Sequence, residues 1–197
     1  ESEESYEVPY LTEQQLAMVL PHLPSKAFRA MVEMAYYTGC RMGELLAMEP
    51  HNMRRDGVIH VSKQLLRSNK LGPLKSRDSK FSKDVFALSR AVSLYPQWMI
   101  LKNEISYTER LSASHTLRRA CLKAKVKPIK FHHLRHSYAI TLASMGFTLS
   151  EIASNMGIRE QTAKDHYLGY VSTESMSARM RRMEREHQGL MSFSESK

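Results

Sequence analysis

The sequence predicts a mainly helical fold with a small antiparallel β-sheet, an α+β arrangement. Three observations point to it. Apolar residues recur at helical spacing in the first part of the chain and again through its second half. Between those blocks lie short β-branched runs broken by glycine, proline and asparagine. Hydrophobic residues fill 42% of the 197 positions, enough for a sizeable core and too many for a disordered tail.

Residues 1–10, ESEESYEVPY, are polar and acidic and read as a linker remnant. The chain starts at Glu1 rather than Met, so a piece of a longer protein is expected. In LTEQQLAMVLPHL, Thr12 is placed to cap a helix, and Gln15 three positions on completes a capping box. SKAFRAMVEMAYYTG spaces Phe28, Met31, Val32 and Ala35 at helical intervals and stops at Gly39. RMGELLAM opens a further helix, which Pro50 ends. The period then changes. GVIHVSKQLL reads as one strand, LGPLKSRD as a turn and strand, and KDVFAL as a third strand. From LSASHTLRRACLKAKV onward the pattern is helical again, interrupted at Pro128 and around Gly146 and Gly157. The tail STESMSARMRRMEREH starts with capping residues and sets Met176, Met180 and Met183 in one stripe.

Charge narrows the choice of partner. Lys and Arg number 29 against 20 Asp and Glu, a formal net charge of +9. That excess favours a polyanion, with nucleic acid ahead of an acidic membrane surface. Cys40 and Cys121 are the only cysteines and form no CxxC pair, which excludes a disulfide framework or zinc ribbon and suits a reducing, cytoplasmic interior. No apolar stretch approaches the ~20 residues needed to span a bilayer, and no signal peptide is visible.

Four stretches carry chemistry. TGCRMGELLAM sets Arg41 after a glycine turn with Glu44 one helical turn on. A guanidinium held by a carboxylate is preorganised for phosphate oxygens, although the same spacing also makes an ordinary surface ion pair. Lys75, in GPLKSRD, lies on the expected hairpin, from which a lysine can deliver a proton to a leaving oxygen. Lys63, Lys70, Lys80 and Lys83 lie nearby, and most of these lysines are expected to be solvated.

IKFHHLRHSYA gathers His132, His133, Arg135 and His136. His132 and Arg135, three apart, would share a helix face and could bind phosphate together. His132 and His136 could instead be metal ligands, but position 133 is histidine where HExxH helices carry glutamate, and no third ligand is evident. Structural histidines are the third reading. Finally, LSEIASNMGIREQTAKDHYLGYV has the cadence of a helix-turn-helix, which favours a non-catalytic DNA-binding regulator. Tyr167, inside it, is either a packing residue or a nucleophile.

Taken together, these residues resemble the catalytic domain of the tyrosine recombinases, the phage integrase family. The family pattern is an arginine after Thr-Gly with a carboxylate three on, a hairpin lysine, H-x-L-R-H, a glycine-centred turn and a nucleophilic tyrosine. This chain reads Arg41 and Glu44, Lys75, HHLRH at 132–136, MGI at 156–158, and Tyr167. The spacings from Arg135 to Ile158 and from Ile158 to Tyr167 are normal for the family, and the resemblance runs from about Leu11 to Tyr170. The one departure is Ile158, where the family usually has histidine or tryptophan.

The resemblance implies a catalytic domain over residues 11–171, a C-terminal helix and tail over 172–197, and a core-binding domain that this chain lacks. It implies that Tyr167 attacks a phosphodiester of double-stranded DNA, leaving a 3′-phosphotyrosyl link and a free 5′-hydroxyl, without metal, ATP or cofactor. Arg41 and Arg135 would neutralise the pentavalent phosphorus, where preorganised donors count most. His132 would contact a non-bridging oxygen or help deprotonate Tyr167, Lys75 would be the general acid, and Glu44 and His136 would support them. Strand exchange for integration or excision of a mobile element would use a tetramer, joined through residues 173–188, near the nucleoid of a bacterium or virus-infected cell. A type IB topoisomerase-like enzyme shares this chemistry without synapsis and stands as the alternative enzyme.

Overall fold

The computed structural model describes residues 8–74 and 82–170. Helix α1 (Glu13–Val19) starts where the sequence places it. Thr12 Oγ1 accepts from Gln15 N at 3.2 Å, and Gln15 Oε1 accepts from Thr12 N at 2.9 Å. Helix α2 (Lys26–Thr38) is capped by Ser25 and buries Phe28, Met31, Val32 and Ala35. It ends at Gly39, whose φ of 63° is left-handed.

Gly39 is required for a second reason. A Cβ there would lie 2.3 Å from the Tyr138 ring. Gly39→Ala should therefore cost about 1–2 kcal/mol for the left-handed backbone and roughly 1–3 kcal/mol more for overpacking. Urea denaturation measures the loss, and an unchanged midpoint would contradict the assigned backbone.

Helix α3 (Met42–Leu46) is shorter than expected, ending four residues before Pro50. Proline disfavours helical backbone at the preceding Glu49, which is extended. Side chains take up the end carbonyls instead. Trp98 Nε1 donates to Leu45 O at 3.3 Å, and Lys102 Nζ donates to Leu46 O at 3.5 Å and to Met48 O.

The expected first strand is divided at Ser62 into β1 (Val58–Val61) and β2 (Lys63–Leu65). β2 pairs antiparallel with β3 (Leu71–Pro73), and β1 pairs antiparallel with β4 (Lys83–Phe86), Val61 standing opposite Lys83. Among the described residues the expected small antiparallel sheet consists of two short ladders.

Helix α4 (Ser89–Leu101) was not legible in the sequence, where Pro96 stands inside it. Burial of Ala91, Leu94, Tyr95 and Trp98, on a helix packed against α2, outweighs the lost N–H. Helix α5 (Tyr107–Lys123) follows, and the chain then passes Pro128 into a 3₁₀ turn (Phe131–His133) and α6 (Leu134–Ser144). Helices α7 (Leu149–Met156) and α8 (Glu160–Tyr167) pack on each other around Gly157, whose φ is 61°.

Two apolar clusters result. One joins α1 to α5 with the strands and reaches Leu134 at the head of α6. The other holds Tyr138, Ile140, Leu142, Ile152, Met156 and Tyr167, with Ile158 against it. Helix α6 links the two, which places its first turn at their junction.

Candidate active site

The site forms at that junction, around Arg41. As N-cap of α3, Arg41 has its backbone N–H turned toward Glu44 Oε2 at 2.8 Å, while its Nη1 donates to Glu44 Oε1 at 2.9 Å. The Arg41 side chain keeps 39% exposure and Glu44 has none. The pair is therefore not the ordinary surface bridge that the spacing also allowed. It presents a guanidinium from a buried carboxylate.

Glu44 has a third partner that sequence reasoning missed. Lys83 Nζ donates to Glu44 Oε2 at 2.8 Å, with 3% of its side chain exposed. Lys83 is thus an exception among the nearby lysines, most of which are expected to be solvated, because packing of β4 turns it inward. Burial alone would raise the Glu44 carboxyl, but the Lys83 ammonium and the bonds from Lys83 and Arg41 hold it below its ordinary value. Burial in turn lowers Lys83. The only sequence signal was its β-strand position, where side chains alternate between faces.

Arg135 sits in the first turn of α6. Its Nη1 donates to Gly39 O at 2.6 Å and its Nη2 donates to Met156 O. Two carbonyls from different elements thus fix one plane of the guanidinium. Burial, then the nearby Arg41 charge, lowers its affinity for a proton, although a guanidinium remains charged. Two mutually repelling cations held in place by buried anchors make a site that an anion relieves.

His132 lies on the 3₁₀ turn before α6, not on the helix with Arg135, and is exposed. Its ring meets that of His133 edge-on, 4.2 Å between centroids. Burial, followed by neighbouring positive charge, lowers His132 and takes both His133 and His136 down to about 4. His133 and His136 are therefore neutral at pH 7. Among the described residues, no group of three or more His, Cys, Asp or Glu side chains is arranged to hold a metal ion.

Tyr167 ends α8 with its ring buried and its hydroxyl 2.8 Å from His136 Nδ1. With its proton on Nε2, a neutral His136 accepts the hydroxyl hydrogen through Nδ1. Burial pushes the Tyr167 phenol up to about 12, and the Arg135 charge pulls against it. Ile158 is half-buried against the cluster that holds Tyr167, so it contributes packing and offers no side-chain donor. Its N–H closes the α7 end on Ala153 O at 3.0 Å. Lys75 and residues 173–188 lie outside the described residues.

From Arg41 a groove continues along Gln64, Arg67, Arg110 and Ser114, adding two guanidiniums to its wall. Among the described residues no helix is long and apolar enough to cross a membrane. The α7–Gly157–α8 unit does have a helix-turn-helix outline. However, α8 buries Ala163 and Tyr167, and the regulator reading leaves the arginine pair without a use.

Comparison with known proteins gives the family and the fold. The profile described as the phage integrase family matches residues 9–169. No curated protein sequence matches the chain. Among solved structures, the Tn1549 transposon integrase in complex with a circular intermediate DNA aligns with a TM-score of 0.65 at 17% identity, covering 94% of this chain and 68% of that one. XerA recombinase aligns at 0.61 and 19% identity, covering 95% of this chain and 66% of that one. The catalytic domain of bacteriophage HP1 integrase aligns at 0.56 and 15% identity, covering 85% and 91%. At these identities the likeness is one of fold. The profile spans most of the chain, and the chain belongs to the phage integrase family, the tyrosine-type site-specific recombinases.

Proposed function

We propose that residues 11–171 are a recombinase catalytic domain in which Tyr167 attacks a DNA phosphodiester while Arg41 and Arg135 hold the scissile phosphate. One observation carries this reading. Two guanidiniums with buried anchors lie close enough to repel, and the charge of Arg135 also acts on a tyrosine hydroxyl that is hydrogen-bonded to a neutral imidazole. Such donors stabilise charge developing on the non-bridging oxygens without reorganising at the moment of reaction. The tyrosyl oxygen would join phosphorus as the bond to the 5′-oxygen breaks, and Lys75 would protonate that departing oxygen to give the 5′-hydroxyl. His136, hydrogen-bonded to the Tyr167 hydroxyl, would take the tyrosyl proton, and the exposed His132 would contact a non-bridging oxygen. Glu44 orients Arg41. Ile158 holds the tyrosine helix by packing.

The partner is double-stranded DNA, which the net charge of +9 and the arginine-lined groove support. A tetramer assembled through residues 173–188, acting in integration or excision of a mobile element at the nucleoid, completes the proposal. The remaining residues, 172–197, would form its C-terminal helix and tail.

The test uses a nicked suicide substrate, with chelator present, and a separate two-site assay. A covalent adduct and exchange between sites are expected. Plasmid relaxation with no exchange by the full-length protein would favour the topoisomerase-like reading, and binding with neither activity would favour the regulator.

A further inference from the structure

Lys83 is a buried titratable group that this mechanism does not use. A lysine is rarely buried without a reason, because desolvating an ammonium costs several kcal/mol before any partner repays it. Its surroundings supply one. Nζ lies 2.8 Å from Glu44 Oε2, the same oxygen that accepts the Arg41 backbone N–H. It also lies 3.5 Å from Met156 O, the carbonyl that receives Arg135 Nη2. One ammonium therefore touches the anchor of each guanidinium. It reaches them from β4, an element separate from those that carry the arginines.

Charge makes the same point. Glu44 paired with Arg41 alone would offset one of the two positive charges that a phosphate needs. Lys83 cancels Glu44 from the side away from solvent, so both guanidiniums keep their full charge toward the open face. With 3% of its side chain exposed, Lys83 has no route to DNA itself.

We propose that Lys83 is a positioning residue for strand cleavage. Its ammonium, set between Glu44 and the Met156 carbonyl, holds Arg41 and Arg135 in one arrangement and neutralises the carboxylate behind them. This rests on the reading that the two arginines bind the scissile phosphate.

The experiment compares wild type, Lys83→Met, Lys83→Met/Glu44→Gln and Arg41→Ala in single-turnover cleavage of a suicide substrate. DNA affinity and circular dichroism are measured alongside. Lys83→Met should cleave about 10–100-fold more slowly, by analogy with losing a group that orients a metal ligand. Its DNA affinity should be unchanged. The double variant removes both buried charges and should fold, since such replacements are often neutral or stabilising. It should cleave faster than Lys83→Met, whose Glu44 is left to offset the charge of Arg41, yet slower than wild type, because Arg41 has lost its carboxylate.

A folded Lys83→Met that cleaves at the wild-type rate, or that loses affinity and rate equally, overturns the proposal. So does a double variant that cleaves like wild type, since the pair then serves stability alone. That comparison stands even if Lys83→Met fails to fold. Wild-type cleavage by Arg41→Ala would instead sink the underlying reading of the arginines.

Discussion

Tyr167→Phe is expected to abolish the covalent protein–DNA adduct while DNA binding persists. The change deletes one oxygen and leaves the ring in its cluster with Tyr138, Ile152 and Met156. The lost hydrogen bond to His136 should cost only about 0.5–1.5 kcal/mol, so the variant should fold. The chemical loss is total, because no other atom at that position can join phosphorus. With its phenol held up to about 12, Tyr167 is protonated at neutral pH, and in the proposed reaction it would depend on an acceptor such as His136 to become a nucleophile. Denaturing gel electrophoresis after incubation with a nicked substrate reads the outcome directly. If the adduct survives, the nucleophile is elsewhere. Tyr138 is a poor substitute, since its hydroxyl is buried and donates to the Phe86 carbonyl, which would leave Tyr170 as the next residue to test.

Arg41→Ala and Arg135→Ala should both lower the cleavage rate by about 10²–10³, the scale for losing one preorganised donor to a developing oxyanion. They should part company in stability. Arg41 is the more exposed, and without it Glu44 still has Lys83 as a partner, so the fold should tolerate the change. Removing Arg135 strands Gly39 O and leaves Met156 O only the long contact from Lys83, at the junction of the two apolar clusters. Each carbonyl left without a donor costs about 1–3 kcal/mol. Affinity should fall far less than rate in both, because many of the other lysines and arginines can share the phosphate contacts. Single-turnover cleavage, DNA titration and urea denaturation together decide. Equal losses of affinity and rate in Arg135→Ala would mean that the guanidinium is a binding group and nothing more.

Much of this site was legible because its signals are local. Glu44 follows Arg41 by one helical turn, and a capped helix start shows in three or four residues. Gly39 announces a helix end at the point where the backbone must turn left-handed. The histidines and Arg135 sit within five positions. Helix α4 was missed for the opposite reason. Pro96 weakens its local signal, and the burial of Trp98 and Leu94 against α2 that restores it is not local.

By itself the sequence determined the helical and strand segments on either side of Gly39 and Gly157, the basic character, and the residue types at the site. Tertiary structure alone decided which groups meet. Lys83 lies 39 positions from Glu44, His136 lies 31 from Tyr167, and Arg135 reaches carbonyls 96 and 21 positions away. At the level of sequence Lys83 is one of several hairpin lysines, and His136 is one of three neighbouring histidines. Burial separates them. In water each would be solvated and interchangeable, whereas inside the junction an ammonium must find a carboxylate and a carbonyl must find a donor. That requirement exists only once α2, α3, α6, α7 and β4 have packed together.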